Sequence, residues 1–413
     1  MLRKAKEQLY RLLRWLQLYL KTDMVYAAHG GLWLTVGQAL SALSAFALAI
    51  AFANFVEPEK YGNYKYILSL AGIIGTLTLT GLGTAVARAA ARGYRGTLRY
   101  AFRIALKWSA AMVVVSATIS TYYFLQGNTF LGISLLMIGA TTPIIAACSF
   151  YRPFLMGARE FKRAALYGSL HSAVPAISVL IGIAIKAPVL LLIIAYLASS
   201  AATCIILYLR ASADTEGNVD PDTEHIAKHL SVMSIISTVA TKLDAILLFQ
   251  LLGGTQLAVF AFAIAIPDII RGSFKNLATL AMPKFVGKTK AQLKRSVFTK
   301  SILIFIVAST ITGAYIVAAP YIFDIFFPMY QESIIYSQVY AVTVLFTLIL
   351  STAYFDVQKG IKERYILNIF SSIITAITAA GGIYLFGLWG AIGARIVARA
   401  LIAGMSTLLI ARH

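Results

Sequence analysis

Residues Phe55–Arg92 read FVEPEKYGNYKYILSLAGIIGTLTLTGLGTAVARAAAR. A polar corner, Glu57-Pro58-Glu59-Lys60, leads into a segment carrying Tyr61, Tyr64 and Tyr66. An apolar run follows, punctuated by Gly72, Gly75, Gly81 and Gly83, and leaves through Arg88 and Arg92. A run of this length, aromatic and acidic at one end and basic at the other, is a membrane crossing. The pattern returns 196 positions later in LLGGTQLAVFAFAIAIPDIIRGSFKNLATLAMPKF, where Tyr64 falls on Phe260 and Arg88 on Lys284. Two related halves are the expectation.

Working outward, the whole chain has the composition of a membrane protein. Of its 413 residues 59% are hydrophobic and 13% are charged, against roughly 25% charged in soluble domains. We read an all-α integral membrane fold of twelve spans near 31–55, 62–87, 101–124, 129–150, 162–186, 188–209, 229–252, 256–282, 296–318, 333–355, 363–386 and 388–411. The expected organisation is an amphipathic cytoplasmic segment at 1–28, a six-helix lobe at 29–210, a cytoplasmic linker at 211–228, and a second six-helix lobe at 229–413. Residues 2–21 place leucines at helical spacing, with Arg and Lys between them and Trp15 and Tyr19 suited to an interface. Cys148 and Cys204 both fall in apolar runs and read as small core residues rather than a disulfide.

The net charge of +20 does not point to nucleic acid, because the cations sit in alternate loops. Of the 36 Lys and Arg residues, 28 fall in the N-terminal segment and in the connections after spans 2, 4, 6, 8, 10 and 12. The opposite loops hold Lys60, Lys65 and Lys186. The positive-inside rule therefore puts both termini in the cytoplasm.

Five cations remain inside spans: Lys242, Arg271, Lys275, Arg395 and Arg399, all in the second half. A charge near the bilayer centre costs on the order of 3 kcal/mol, so each needs a partner, water or a ligand. Asp268, Arg271 and Lys275 share a face of one helix, and Arg395 and Arg399 lie at i, i+4 on another. The implied polar, net-cationic cavity suits a phosphate-bearing ligand, which arginine and lysine bind through charge-assisted hydrogen bonds. Asp244 and Asp268 are the charge-pairing or coupling acids; the bland alternative pairs Lys242 with Asp244 and Arg271 with Asp268 as neutralised structural pairs. His171 is read as a structural or protonatable residue, and Arg88 as an interface anchor or headgroup contact. Pro143, Pro175 and Pro267 mark kinks. His225 and His229 lie in the polar connector and are not read as a metal site. No phosphate-binding loop, zinc-protease motif or nucleophile elbow is visible, so neither an enzyme nor a cofactor is expected.

The opening WLTVGQALSALS (Trp33–Ser44), the stretch Val56–Arg88 with Tyr61-Gly62 and Gly81-Leu82-Gly83, Lys242-Leu243-Asp244 followed by Gly253, and Asp356-Val357-Gln358-Lys359-Gly360 carry a resemblance along essentially the full length. The chain resembles the polysaccharide-exporter branch of the multidrug/oligosaccharidyl-lipid/polysaccharide (MOP) exporter superfamily, and within it the O-antigen flippases. The resemblance implies a MATE-like two-lobe fold in the bacterial cytoplasmic membrane. It also implies alternating-access flipping of an undecaprenyl-diphosphate-linked oligosaccharide. Partners would be that lipid-linked substrate, the surrounding membrane lipids, a polysaccharide polymerase and glycosyltransferases. Coupling to a proton or Na+ is left open. The first half carries no clear embedded carboxylate, unlike the superfamily's multidrug exporters. A small-molecule antiporter and a non-transporting scaffold for glycan assembly stand as the alternatives.

Overall fold

Hydrocarbon offers no partner to backbone N–H and C=O groups, so an apolar chain of this kind must satisfy them within helices. The computed structural model describes residues 24–213, 215–281, 290–346 and 361–412, and no strand occurs among them. The helices are α1 (Met24–Phe55), α2 (Pro58–Ile74), α3 (Leu82–Ala91), α4 (Thr97–Trp108), α5 (Ala110–Leu125), α6 (Thr129–Cys148) and α7 (Tyr151–Gly157). They continue as α8 (Phe161–Ala184), α9 (Val189–Ser212), α10 (Thr223–Ala281), α11 (Lys290–Phe326), α12 (Ser333–Ala341) and α13 (Ile361–Arg412). Residues 1–23 of the expected amphipathic segment lie outside the described residues, as does the Asp356–Gly360 motif.

By length and composition the described residues hold eight helices able to cross a membrane, or nine if one bent pair is a single crossing. The expectation was twelve. Part of the difference lies in two apolar helices of double length, Ser234–Gly272 and Tyr365–Ile410, of 39 and 46 residues. Straight, they would run about 58 and 69 Å through a hydrocarbon core of about 30 Å. They do not run straight. Gly253 (φ 85°) and Gly387 (φ 57°) interrupt the helical backbone in the left-handed region open to glycine. After Gly387 the chain folds back on itself, since a Cβ on Gly390 would lie 1.7 Å from the Gly382 carbonyl oxygen.

The stretch expected as one span at 62–87 is the bent pair. Pro58 opens α2 at its first turn with Glu57 before it and Glu59 within it, a start suited to the helix dipole. After the 3-10 turn Gly75–Leu77 the backbone extends at Thr78 (ψ 170°), and α3 leaves at 60° to the first segment. The bend follows a neighbour. Gly62 meets Gly254 so closely that a Cβ would fall 1.9 Å from its carbonyl oxygen, Gly72 faces Lys242, and the Gly81 N–H donates to Ser231 Oγ at 3.0 Å. The α2–α3 pair thus runs antiparallel to the first half of α10 along its whole length, and its bend keeps that contact unbroken.

The two largest apolar cores among the described residues lie toward opposite ends. At the basic-poor end, Phe52 of α1 packs on Tyr61 of α2, which meets Phe262 of α10, and Phe262 packs on Phe327 and Tyr330 at ring separations of 5.0 and 4.0 Å. At the basic-rich end a second core gathers Leu82, Val86, Leu98, Phe154, Leu207 and Ala227. The polar connector is shorter than 211–228, because α9 runs to Ser212 and α10 starts at Thr223. Most of its described residues are exposed, and it is anchored at Thr215 and Asp220. Asp220 is buried, with its N–H on Thr97 Oγ1 at 3.2 Å and its carboxylate 3.6 Å from Arg92 Nη1.

If the α2–α10 contact organises the fold, Gly62→Ala should cost about 1–3 kcal/mol through overpacking. Gly404→Ala, at a helical glycine with open space around it, should be neutral or stabilise by up to about 1 kcal/mol. Thermal unfolding of both variants in detergent checks this; equal melting temperatures would remove Gly62 from the account.

Candidate functional site

The fold-backs at Gly253 and Gly387 decide which intramembrane charges meet. Asp244 lies on the first arm of α10, Phe260 and Asp268 on the second, and Arg395 and Arg399 on the second arm of α13. The Arg395 guanidinium touches both arms of α10: it grips Asp244 and lies 5.0 Å over the Phe260 ring. On a continuous helix Asp244 and Phe260 would be about 24 Å apart, so α10 doubles back.

Arg395 Nε donates to Asp244 Oδ2 at 2.6 Å, and Nη2 lies 2.5 Å from the same oxygen as an ion pair. The other carboxylate oxygen accepts the Ala245 N–H at 2.7 Å. With Asp244 only 5% exposed and Arg395 18%, this is a buried pair with its polar atoms satisfied. The neighbouring acid, Asp268, receives Arg399 Nη2 at 3.1 Å and lies 3.7 Å from Arg395 Nη1. Tyr340 is the hub. Its buried hydroxyl donates to Asp268 Oδ1 at 3.0 Å and accepts from Arg395 Nη1 at 3.1 Å and Arg399 Nη2 at 2.6 Å. Arg399 also donates to Thr343 Oγ1, in the 3-10 turn after α12. Both guanidiniums lie over the Tyr340 ring, 5.9 and 5.0 Å from its centre.

Arg271 is the cation left over. Its Nε lies 3.3 Å from Asp268 Oδ1, yet that buried atom makes no hydrogen bond. Three arginines on two carboxylates leave one net positive charge. Asp268 and Arg271 are also the exposed edge of the group, at 31% and 29%. The arrangement sets a surplus arginine charge beside a partly exposed carboxylate.

The structure thus joins five of the residues singled out from sequence, Asp244, Asp268, Arg271, Arg395 and Arg399, and separates others. Lys242 is not the partner of Asp244: its exposed side chain points to α2, where Gly72 leaves room for it. Arg88 is exposed on α3 and makes no part of the network. His171 lies on α8 in the first half, its buried Nδ1 without a hydrogen bond. The Lys275 side chain lies outside the described residues. Lys65, counted among loop cations, is inside α2, its ammonium 5.4 Å from the centre of the Tyr61 ring. Helix α2 starts at Pro58, which puts Lys65 two turns in. Tyr340, Thr343 and Phe260 were not foreseen, since a tyrosine or threonine in an apolar helix stands out far less than a charge.

A second polar group closes the basic-poor end. Gln250 donates to Tyr66 at 2.7 Å and to Tyr123 at 3.2 Å, the two phenols lie 3.2 Å apart, and Tyr66 stacks on Phe249 at 3.9 Å. It links α2, α5 and α10.

A family model described as polysaccharide biosynthesis protein matches residues 27–287. The chain belongs to the polysaccharide biosynthesis protein family. This agrees with the polysaccharide-exporter branch of the MOP superfamily expected from the sequence. The fold is that of MOP transporters. An inward-facing conformation of a multidrug resistance MATE family transporter of the MOP superfamily matches with a TM-score of 0.70 at 16% identity, covering 90% of this chain and 95% of that one. An outward-facing conformation of such a transporter gives 0.65 at 16% identity over 93% and 96%. A MOP superfamily transporter from Pyrococcus furiosus, noted for the reverse polarity of its binding pocket, gives 0.63 at 15% over 92% and 95%. No match was found among curated protein sequences. The apolar helices and these relatives make the chain a multi-pass membrane protein.

Removing one member of a buried pair leaves the other charge uncompensated, at a cost of about 3–5 kcal/mol. Arg395→Met alone should therefore lower the melting temperature sharply. Adding Asp244→Leu should recover most of the loss. A single variant as stable as the wild type would show that the pair does not form.

Proposed function

We propose that the chain is a flippase for an anionic lipid-linked oligosaccharide, of the undecaprenyl-diphosphate type. It works in the bacterial cytoplasmic membrane by alternating access. The observation that carries this reading is the Arg271–Asp268–Arg399 edge: one surplus cation, with an unbonded buried Nε, beside a partly exposed carboxylate. A diphosphate entering there replaces Asp268 as the partner of Arg271 and Arg399. The exchange keeps both arginines paired as the headgroup leaves water, and it requires the freed Asp268 carboxylate to take up a proton or turn to water. Membership in a polysaccharide biosynthesis family supports a glycan as the cargo.

In the proposed layout twelve crossings form two six-helix lobes, 29–210 and 229–413, with both termini cytoplasmic. The double-length helices supply four of the crossings and the bent α2–α3 pair one. Rocking of the lobes opens the charged site to one side and then the other, with the Gln250–Tyr66–Tyr123 group as a contact broken at the basic-poor end. Protonation of Asp268 would favour the same exchange by removing the competing anion, which makes a proton the natural coupling ion. The membrane lipids take the polyprenyl tail, and a polysaccharide polymerase and glycosyltransferases act before and after the step.

Transport of a fluorescent undecaprenyl-diphosphate oligosaccharide in proteoliposomes tests the reading. Loss of one charge-assisted hydrogen bond is worth about 1.5–3 kcal/mol, so Arg271→Ala should slow flipping about 10- to 100-fold with little change in melting temperature. Wild-type rates in Arg271→Ala would overturn the headgroup site. Cation efflux abolished by Asp268→Asn, with Arg271 dispensable, would instead favour a small-molecule antiporter.

A further inference from the structure

A cavity of about 580 Å³ opens at the basic-poor end, away from the arginine cluster, between the α1–α2 corner and the α8–α9 corner. Its wall is apolar, formed by Phe55, Leu180, Ile183, Val189 and Leu192. Its charged members are Lys60, Lys186 and Glu57. This end of the molecule is almost without cations. Among the described residues it carries Lys60, Lys65 and Lys186, and Lys65 is drawn inside over the Tyr61 ring. The two lysines that remain at its surface line the same cavity.

Lys186 sits there at a conformational cost. The end of α8 is a Schellman turn, in which the Ala187 N–H returns to the Gly182 carbonyl and the Lys186 N–H to the Ile183 carbonyl, both at 2.9 Å. The position that must adopt the left-handed conformation is Lys186, at φ 55°. Glycine fills this position at the ends of α3 and α5, where Gly93 and Gly127 have φ 92° and 75°, and Arg159 fills it at the end of α7 with φ 64°. A lysine in its place is strained backbone that brings an ammonium to the cavity. Lys60 is shared with Glu57 at 2.9 Å, while Lys186 makes no ion pair among the described residues. The three charges sum to +1, the complement of a single phosphodiester.

We propose that this cavity binds one anionic phospholipid from the adjoining leaflet, with its phosphate between Lys60 and Lys186 and its chains along Phe55, Leu180 and Leu192. An apolar wall under a cationic rim at a membrane interface matches an amphiphile and gives a free anion nowhere to bury carbon. The lipid would bridge the α1–α2 and α8–α9 corners. It is distinct from the transported substrate, and the site stands whether or not the flippase reading does.

Lys186→Gly is the informative variant, because it removes the ammonium and relieves the left-handed strain together. The full chain would be placed in nanodiscs of phosphatidylethanolamine with or without phosphatidylglycerol, then examined by thermal unfolding and by native mass spectrometry of retained lipid. In phosphatidylethanolamine alone, Lys186→Gly should melt at or above the wild-type temperature. Its retention of phosphatidylglycerol should fall about fivefold, the worth of one basic residue at a membrane surface, and Lys60→Ala/Lys186→Gly should fall further. Arg103→Ala/Lys107→Ala, at the basic-rich end, should leave the retained lipid unchanged. Equal retention by Lys186→Gly and wild type, or by the two lipids, would overturn the assignment. So would a thermal shift reproduced by inorganic phosphate alone.

Discussion

A guanidinium in a membrane interior must be paired, and the second half of this chain is arranged around that requirement. Arg395 reaches Asp244 on one arm of α10 and stacks on Phe260 of the other, so one side chain holds three helical arms together. Its burial is tolerable because Asp244 offers one oxygen to Arg395 and the other to a backbone N–H. Once that pair is fixed, Arg399 one turn further along α13 can fall only near Asp268 and Tyr340. The rest of the cluster follows from helical spacing.

The same logic separates a structural half of the network from a usable half. Asp244 and Arg395 are enclosed and satisfied. Asp268 and Arg271 are about twice as exposed as Arg395 or Arg399, and Arg271 has an unbonded nitrogen. An anion taking the place of Asp268 would find Arg271 and Arg399 already oriented, provided that the freed carboxylate is protonated or turned to water. Exchange with Asp244 would strip a buried backbone bond as well. The Asp244–Arg395 pair is thus the enclosed half of the network and Asp268–Arg271 its open half.

What could be read from the chain tracks how far each feature depends on distant contacts. Helical, membrane-embedded character and the odd charges at 244, 268, 271, 395 and 399 are local facts, visible because a charge in an apolar run is rare. Pairing was not local. Asp244 and Arg395 are 151 positions apart, and only the folded-back arms at Gly253 and Gly387 bring them together. The nearer partner in sequence, Lys242, faces the opposite helix. The bend between α2 and α3 was hidden for a similar reason: TLTLTG is apolar enough to pass as a crossing, and its break answers to Ser231 and Ala227 on α10. Lys65 was misplaced by two helical turns because a lysine so near a polar corner reads as part of it.

The two ends of the molecule differ in how they hold together. At the basic-poor end the halves meet through aromatic rings, the Gln250–Tyr66–Tyr123 group, and Asn54, whose side-chain amide donates to the Phe326 carbonyl at 3.0 Å. Ring stacks of this kind are worth about 0.5–1.5 kcal/mol each beyond their buried area, so the contact can part in steps. Along α10 the halves approach to backbone distance, with Gly62 against Gly254 and Gly81 against Ala227, and the Lys242 and Ser231 side chains complete the contact. The halves are thus joined by rings and a few hydrogen bonds at one end and by close glycine contacts along α2 and the first arm of α10, while the charged group draws on both arms of α10.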